Sequence, residues 1–321
     1  MGSPGIMPKL SSPTFSSASV IGSGLMGTAI AAIFAAAKLN VVLVDTDPAR
    51  LDEAGKRVKR IADDLLQSEL ISETSETVAA RVVYSQELTA CETSELIIEA
   101  IFENLDAKHE LYTKLEPLVG AETIIGSNTS GFTPSDLGKP FRRLERFLVI
   151  HFWNPPHAIP LVEVVPHPKT DPRITETAMA FLKAIGSEPV LVAKEIPGFI
   201  GNRLQYAVLR EALAIVRSGA ATAEAVDTAM KASLGPRYSL VGPIESADLG
   251  GLDTFLTIAS YLMPRLAKDE EVLELMEEKV AAGKIGVRGG EGFYPWPQER
   301  AAEVIARRDR GLLEHRKRGE R

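Results

Sequence analysis

Three polar clusters in this chain hold side chains able to move a proton or bind a carbonyl oxygen. They are Ser127-Asn128-Thr129-Ser130-Gly131-Phe132, His151-Phe152-Trp153-Asn154-Pro155-Pro156 and Pro197-Gly198-Phe199-Ile200-Gly201-Asn202-Arg203. Histidine changes charge near neutral pH, which suits it to general base work. Glu163 stands inside the apolar run Leu161-Val162-Glu163-Val164-Val165. A carboxylate in such a run needs a partner, and an imidazolium would serve. Read singly, each residue also has an ordinary structural use. Ser130 fits a helix cap, with Ser135-Asp136 a second candidate nearby; His151 fits a satisfied core histidine, and Asn202 the cap of the helix that follows.

A second kind of chemistry is written near the start of the chain. The strand-like Ser19-Val20-Ile21 runs into Gly22-Ser23-Gly24-Leu25-Met26-Gly27 and then an Ala-rich helix. A further apolar strand, Val41-Val42-Leu43-Val44, ends at Asp45. In a dinucleotide site Gly22 permits the tight turn, Gly24 lets backbone amides reach a pyrophosphate, and Gly27 allows close helix–strand packing. Leu25 and Met26 complete the turn, and the phosphates lie at the positive end of the helix. Asp45 would accept both ribose hydroxyls and repel a 2′-phosphate, so the expected cofactor is NAD rather than NADP. The bland alternative is a structural glycine turn beside a surface aspartate.

The elements that must position these groups alternate. Strand-like runs recur at 81–84, 96–99, 123–126, 147–150, 161–165 and 189–192 between helical stretches. Asp47-Pro48 reads as a helix start, and 48–70 has apolar residues at helical spacing. The expected fold is α/β: a Rossmann-type, doubly wound, mainly parallel sheet followed by an all-helical C-terminal domain. After Pro197 the chain reads as helices over 199–217, 222–232, 252–266 and 270–282, with Gly-Pro loops between them and no strand. The divisions expected are a flexible tail over 1–17, an NAD-binding domain over 18–197, a helical domain over 198–297 and a charged tail from Gln298 to 321, read as a solvated helix or frayed end.

Composition excludes several classes. The 321 residues carry 36 Lys+Arg against 43 Asp+Glu, a net charge of −7, which argues against a nucleic-acid binder. With 45% hydrophobic residues a packed core is expected rather than disorder. The single cysteine, Cys91, has no disulfide partner and no companions for a Cys-based metal site, so no metal is expected. The apolar run from Leu25 to Ala37 is too short for a membrane span, and the Ser/Pro-rich start does not read as a signal peptide. A reducing, cytoplasmic location is expected.

Together the motifs resemble the L-3-hydroxyacyl-CoA dehydrogenase family, from about Val20 to about Tyr294. The resemblance rests on Ile21 to Gly27, Glu99-Ala100-Ile101-Phe102-Glu103-Asn104-Leu105, Ser127 to Ser130, His151 to Pro155 with Leu161 to Val164, Pro197 to Arg203, Gly251-Leu252-Asp253 and Gly290 to Tyr294. It implies hydride transfer between NAD and substrate C3. Carried over by motif, His151 is the general base, Glu163 holds and charges its imidazole, and Ser130 and Asn202 hydrogen-bond the C3 oxygen. Glu103, Lys108 and Asn154 line the nicotinamide side. The helical domain is implied to form a homodimer, with the active site in the cleft between domains. Another β-hydroxyacid dehydrogenase family shares the Gly-x-Gly-x-Met-Gly opening, but its lysine in a Gly-rich helix start is missing here.

Departures bear on the substrate. In the CoA-using members a Ser and a Lys on the helix after the second strand hold the CoA tail; here a gapless count finds Ile61 and Ser68. Lys56, Arg57, Lys59 and Arg60 lie one turn earlier, and the segment beyond is acidic, which would repel CoA phosphates. Asn154-Pro155-Pro156-His157, Pro166-His167-Pro168 and Gly235-Pro236-Arg237-Tyr238 resemble the λ-crystallin/L-gulonate 3-dehydrogenase branch, which acts on free hydroxy acids. The pyridoxine-catabolic dehydrogenases share the Asn-Pro-Pro-His stretch. Arg237 would pair a free carboxylate bidentately, or it stitches a loop. Arg288 stands where a lysine is common, and Trp153 replaces a common Phe and is expected to narrow the pocket. The family resemblance still implies an L-3-hydroxyacyl-CoA as the substrate, with a free 3-hydroxy acid as the alternative that these departures raise. A non-catalytic crystallin-like or nucleotide-binding protein is more distant, because it has no use for the His151–Glu163 pair.

Overall fold

The computed structural model describes residues 15–268 and 270–319. Their contacts form two units, one running to Ile200 and taking in the segment from Ala306 onward, the other Gly201–Ile305. The first unit holds an eight-stranded sheet. Its strands are β1 (Ser17–Ile21), β2 (Asn40–Val44), β3 (Val82–Ser85), β4 (Leu96–Glu99), β5 (Ile124–Ser127), β6 (Phe147–Phe152), β7 (Leu161–Pro166) and β8 (Glu188–Leu191). The spatial order is β3-β2-β1-β4-β5-β6-β7-β8, and every neighbouring pair is parallel except β6 with β7. Strand order reverses between β1 and β4, the crevice where open α/β sheets bind ligands beyond the carboxyl ends of their strands. The doubly wound, mainly parallel expectation holds.

Six helices accompany the sheet: α1 (Leu25–Ala36), α2 (Pro48–Gln67), α3 (Ser75–Ala79), α4 (Leu105–Leu115), α5 (Pro134–Leu137) and α6 (Pro172–Ala184). Strand parity sorts their contacts into two cores, because successive side chains point to opposite faces. On one face Leu96, Ile98, Leu148, Ile150 and Val164 pack with α1, α2 and α6. On the other, Ile97, Ile125, Phe147, Val149 and Val165 pack with α4, α5 and Phe199. Glu99, Ser127, His151 and Glu163 share the parity of the second set. One rule of alternation therefore delivers four polar side chains to one face, at the ends of β4, β5 and β6 and opposite β6.

The second unit is helical: α7 (Gly201–Arg217), α8 (Ala223–Ala229), α9 (Gly235–Tyr238), α10 (Pro243–Gly250), α11 (Leu252–Leu262) and α12 (Glu274–Ala281). No strand follows β8 among the described residues. The stretches read as Gly-Pro loops contain α9 and α10, each with proline in its first turn. Pro243 opens α10 after the extended Gly242, where the first helical N–H groups have no partner inside the helix; Pro236 instead stands where the π-helical stretch Met230–Leu234 runs on from α8 into α9.

Both ends of the chain depart from expectation. Residues 1–14 of the expected tail lie outside the described residues. Phe15 is buried, with its ring 5.0 Å from that of Phe181, and Ser16 donates to Glu95, so the fold begins before the expected boundary. The charged segment from Gln298 is one helix, α13 (Gln298–Gly319), and its second half packs on the first unit rather than standing in solvent. Leu313 is buried in the core there, and Arg316 donates to the carbonyl oxygens of His157 and Gly186, each at 2.9 Å. Lys317 pairs with Glu69.

Candidate active site

The glycine turn leaves β1 at Gly22, whose φ is +103°. A Cβ there would stand 2.6 Å from the carbonyl oxygen of Ala100, so both backbone conformation and the approach of β4 demand glycine. A Cβ on Gly27 would run into the Gly22 carbonyl oxygen, which locks α1 against the turn. Gly24, by contrast, has open space where its Cβ would be. It is also the N-cap of α1, and no side chain caps the helix, so no capping side chain occupies its first amides. This open, amide-lined turn fits a dinucleotide pyrophosphate.

Asp45 follows β2 directly and sits beside the turn. Its Oδ2 accepts from Ser23 N and Ser23 Oγ, each at 2.8 Å, and its Oδ1 accepts from Asp47 N at 3.1 Å. Burial alone would raise its pKa. The Ser23 and Asp47 hydrogen bonds and the charge of Arg50 outweigh that, and the carboxyl lies below its ordinary value. Asp45 is therefore an anion at neutral pH, half-buried at the mouth of the turn.

At the far side of the switch point, His151 and Glu163 are direct register partners in the β6–β7 antiparallel pair. His151 is 6% exposed and Glu163 fully buried. Nδ1 of His151 lies 2.9 Å from Oε2 of Glu163, which makes Nδ1 the protonated nitrogen and leaves Nε2 as the ring's acceptor. Oε2 also accepts from Trp153 Nε1 at 3.1 Å, and Oε1 from Ile200 N at 2.8 Å. The Ile200 amide is aimed by a turn in which Gly198 has φ +76° and Phe199 φ +50°. A left-handed phenylalanine is an unusual conformation, held here by complete burial of its ring 5.6 Å from the His151 ring.

A second buried carboxylate lies under the same face. Glu99 accepts from Lys108 Nζ at 2.6 Å and Ile101 N at 2.9 Å through Oε1, and from Tyr112 Oη and Ser127 Oγ, both at 2.6 Å, through Oε2. Burial, then the Glu99 charge, pushes the Tyr112 phenol well above its ordinary value, so it stays a neutral donor. Lys108 is itself buried and reaches Glu103 at 3.3 Å. Glu103 in turn accepts from Thr129 Oγ1 at 2.5 Å and Ser130 N at 3.2 Å. The loops after β4 and β5 are thus tied by one chain of charges. Glu99 was not among the residues expected to matter, though it obeys the rule that singled out Glu163: a carboxylate in an apolar strand needs partners.

The remaining candidates are placed as follows. Ser130 is exposed in the loop after β5; it is no helix cap, since Thr133 caps α5 by accepting from Asp136 N. Asn154 is exposed just beyond β6. Asn202 lies in the first turn of α7, in the second unit, and Arg237 is exposed in α9 of that unit. On α2, Ile61 is buried in the core and Ser68 closes the helix as its C-cap. Lys56 pairs with Glu53 at 3.1 Å and Lys59 with Glu76 at 2.7 Å. Among the described residues no cluster of His, Cys, Asp and Glu could hold a metal ion, and no helix is long and apolar enough to cross a membrane.

Residues 17–196 match the NAD-binding domain of 3-hydroxyacyl-CoA dehydrogenase, and residues 198–296 match its C-terminal domain. The chain belongs to the 3-hydroxyacyl-CoA dehydrogenase family. It is an NAD-dependent dehydrogenase acting on a CH–OH group, as the family resemblance implies. The 5-formyl-3-hydroxy-2-methylpyridine 4-carboxylate 5-dehydrogenase of Mesorhizobium japonicum is 34% identical over 295 residues, 92% of this chain and 95% of that one. The mitochondrial hydroxyacyl-coenzyme A dehydrogenase of Homo sapiens is 35% identical over 294 residues, 86% of this chain and 90% of that one. Lambda-crystallin of Oryctolagus cuniculus is 33% identical over 264 residues, 81% and 83%. Helix α13 lies beyond both matched domains.

Proposed function

We propose that this enzyme interconverts a CH–OH group and a carbonyl on a small free carboxylate, with His151 as general base and Glu163 as its partner. The observation that carries the reading is the buried His151–Glu163 pair, joined at 2.9 Å through Nδ1. That bond leaves Nε2 to take the hydroxyl proton, while the carboxylate stabilises the imidazolium that results. Bound NAD supplies the hydride acceptor. By family resemblance Ser130 and Asn202 hydrogen-bond the reacting oxygen, and Glu103 and Asn154 line the nicotinamide side. Lys108 is buried between Glu99 and Glu103, so it acts through Glu103 rather than by touching the cofactor.

Two observations support a free acid over a CoA thioester. On α2, Lys56 and Lys59 pair with Glu53 and Glu76, and Ile61 is buried where the CoA-using members place a polar residue. The relative from Mesorhizobium japonicum, named for a pyridine carboxylate, aligns over 92% of this chain. Arg237 is then the bidentate partner of the substrate carboxylate. The thioester reading has the identity to the human enzyme in its favour. The experiment is NADH oxidation with acetoacetyl-CoA and free acetoacetate side by side, followed by free hydroxy acids and formylpyridine carboxylates. Turnover of free acids with none of the thioester is expected; turnover of the thioester alone would overturn the substrate assignment and make Arg237 a scaffold residue.

We also infer a homodimer through the second unit. Leu240 is 84% exposed and Ile244 80%, and Leu249, Leu252 and Leu256 are exposed near them in sequence, an apolar content unusual for a solvated surface. A dimeric mass at micromolar concentration is expected, and a monomeric mass would contradict it.

A further inference from the structure

Trp153 was expected only to narrow the pocket; its ring nitrogen has a more specific partner. His151 and Trp153 are two residues apart on an extended strand end, so both side chains fall on the face that Glu163 occupies across the pair. The rings of His151 and Trp153 lie 5.8 Å apart at 52°, and both donate to the same oxygen, Oε2 of Glu163, at 2.9 and 3.1 Å. The other oxygen takes the Ile200 amide at 2.8 Å. An indole N–H is a donor that never titrates in this range, so its claim on Oε2 is permanent whatever the charge of His151.

We propose that Trp153 is a positioning residue for the general base, its indole N–H fixing the Glu163 carboxylate and drawing off part of the basicity that Glu163 would otherwise give to His151. This rests on the reading of His151 as base. A carboxylate oxygen serving one donor stabilises an imidazolium more than the same oxygen serving two. Sharing the oxygen with Trp153 therefore weakens the pull of Glu163 on the ring proton while holding the ring in place. His151 contacts Glu163 from β7, Trp153 at the end of its own strand and Phe199 from the segment after β8. Of these, Glu163 carries the charge.

The test compares the parent enzyme with Trp153→Phe and with Trp153 replaced by benzothienylalanine, which keeps the bicyclic ring and puts sulfur in place of N–H. Two readouts are taken: the pH profile of alcohol oxidation, and proton NMR titration of the His151 ring, assigned with His151→Gln. Both variants should move the acid limb of the rate profile and the NMR midpoint upward together, with KM for NAD unchanged. Superimposable or downward-shifted profiles would overturn the proposal. So would a shift in Trp153→Phe that the isostere does not share, since that effect would belong to ring volume. Full turnover by His151→Gln would instead refute the base assignment, and the NMR titration would still report whether Trp153 is coupled to the pair.

Discussion

Ser23 holds one oxygen of Asp45 with two donors, its backbone N–H and its hydroxyl, each 2.8 Å from Oδ2. The glycine turn and the end of β2 are thereby one preorganised unit, with the Asp45 charge already aimed at the place a ribose would occupy. Asp45→Ala should raise KM for NADH roughly 10- to 100-fold, the worth of a hydrogen bond to a charged group, and should narrow the preference for NADH over NADPH. Steady-state rates with the two cofactors check this. An unchanged ratio would remove Asp45 from cofactor selection.

The same contact makes acid stability depend on Ser23. The Asp45 carboxyl lies below its ordinary value of about 3.9. A lowered folded value contributes stability that is fully present above the unfolded value and is lost as pH falls through the folded one. Ser23→Ala removes the hydroxyl donor and should therefore move acid unfolding, followed by circular dichroism below about pH 4, to higher pH. The two proteins should be alike near neutrality in the pH dependence of their stability.

The glycines of the turn separate stability from binding. Gly24→Ala places a Cβ in open space, so the variant should keep the parent melting temperature while losing NADH affinity. Gly27→Ala drives a Cβ into the Gly22 carbonyl and should lower the melting temperature as well. Thermal scans with and without NADH distinguish the pair. A Gly24→Ala protein that binds NADH normally would contradict the placement of the pyrophosphate.

Glu99 is expected to matter for folding first. Glu99→Gln leaves the buried Lys108 ammonium with Glu103 at 3.3 Å as its carboxylate partner and should cost about 3–5 kcal/mol in urea unfolding, the usual penalty for breaking a buried ion pair. Adding Lys108→Met should recover a large part of that loss, because the stranded charge is gone. A double variant no more stable than the single one would show that the other donors to Glu99, not Lys108, set the penalty.

Much of the site is legible in the sequence because its signals are local. The glycine spacing and the polar residues at strand ends are read within a few positions, and Glu163 announces itself as a carboxylate among valines. Strand parity then joins His151 to Glu163 across β6 and β7. What escapes is tertiary. The Trp153–Glu163 bond is set by where an indole edge points, which no spacing encodes. The Gly-Pro pairs at 235–236 and 242–243 read as loops, yet Pro243 opens α10 from its first turn and Pro236 is carried in a helical run that passes through a π-helical stretch. Helix α13 reads as solvated because charged residues dominate it. Arg316 nevertheless is buried and donates from its two terminal nitrogens to two carbonyl oxygens, so its charge was no guide to its exposure.

The central claim is that His151, held by Glu163 through Nδ1, takes the substrate proton at Nε2. Its most direct test is the NADH-linked turnover of His151→Gln, measured beside NADH binding by fluorescence. Turnover should fall by at least roughly 10²- to 10⁴-fold, the range of acid–base catalysis, with NADH affinity unchanged. Near-parental turnover with intact cofactor binding would contradict the account.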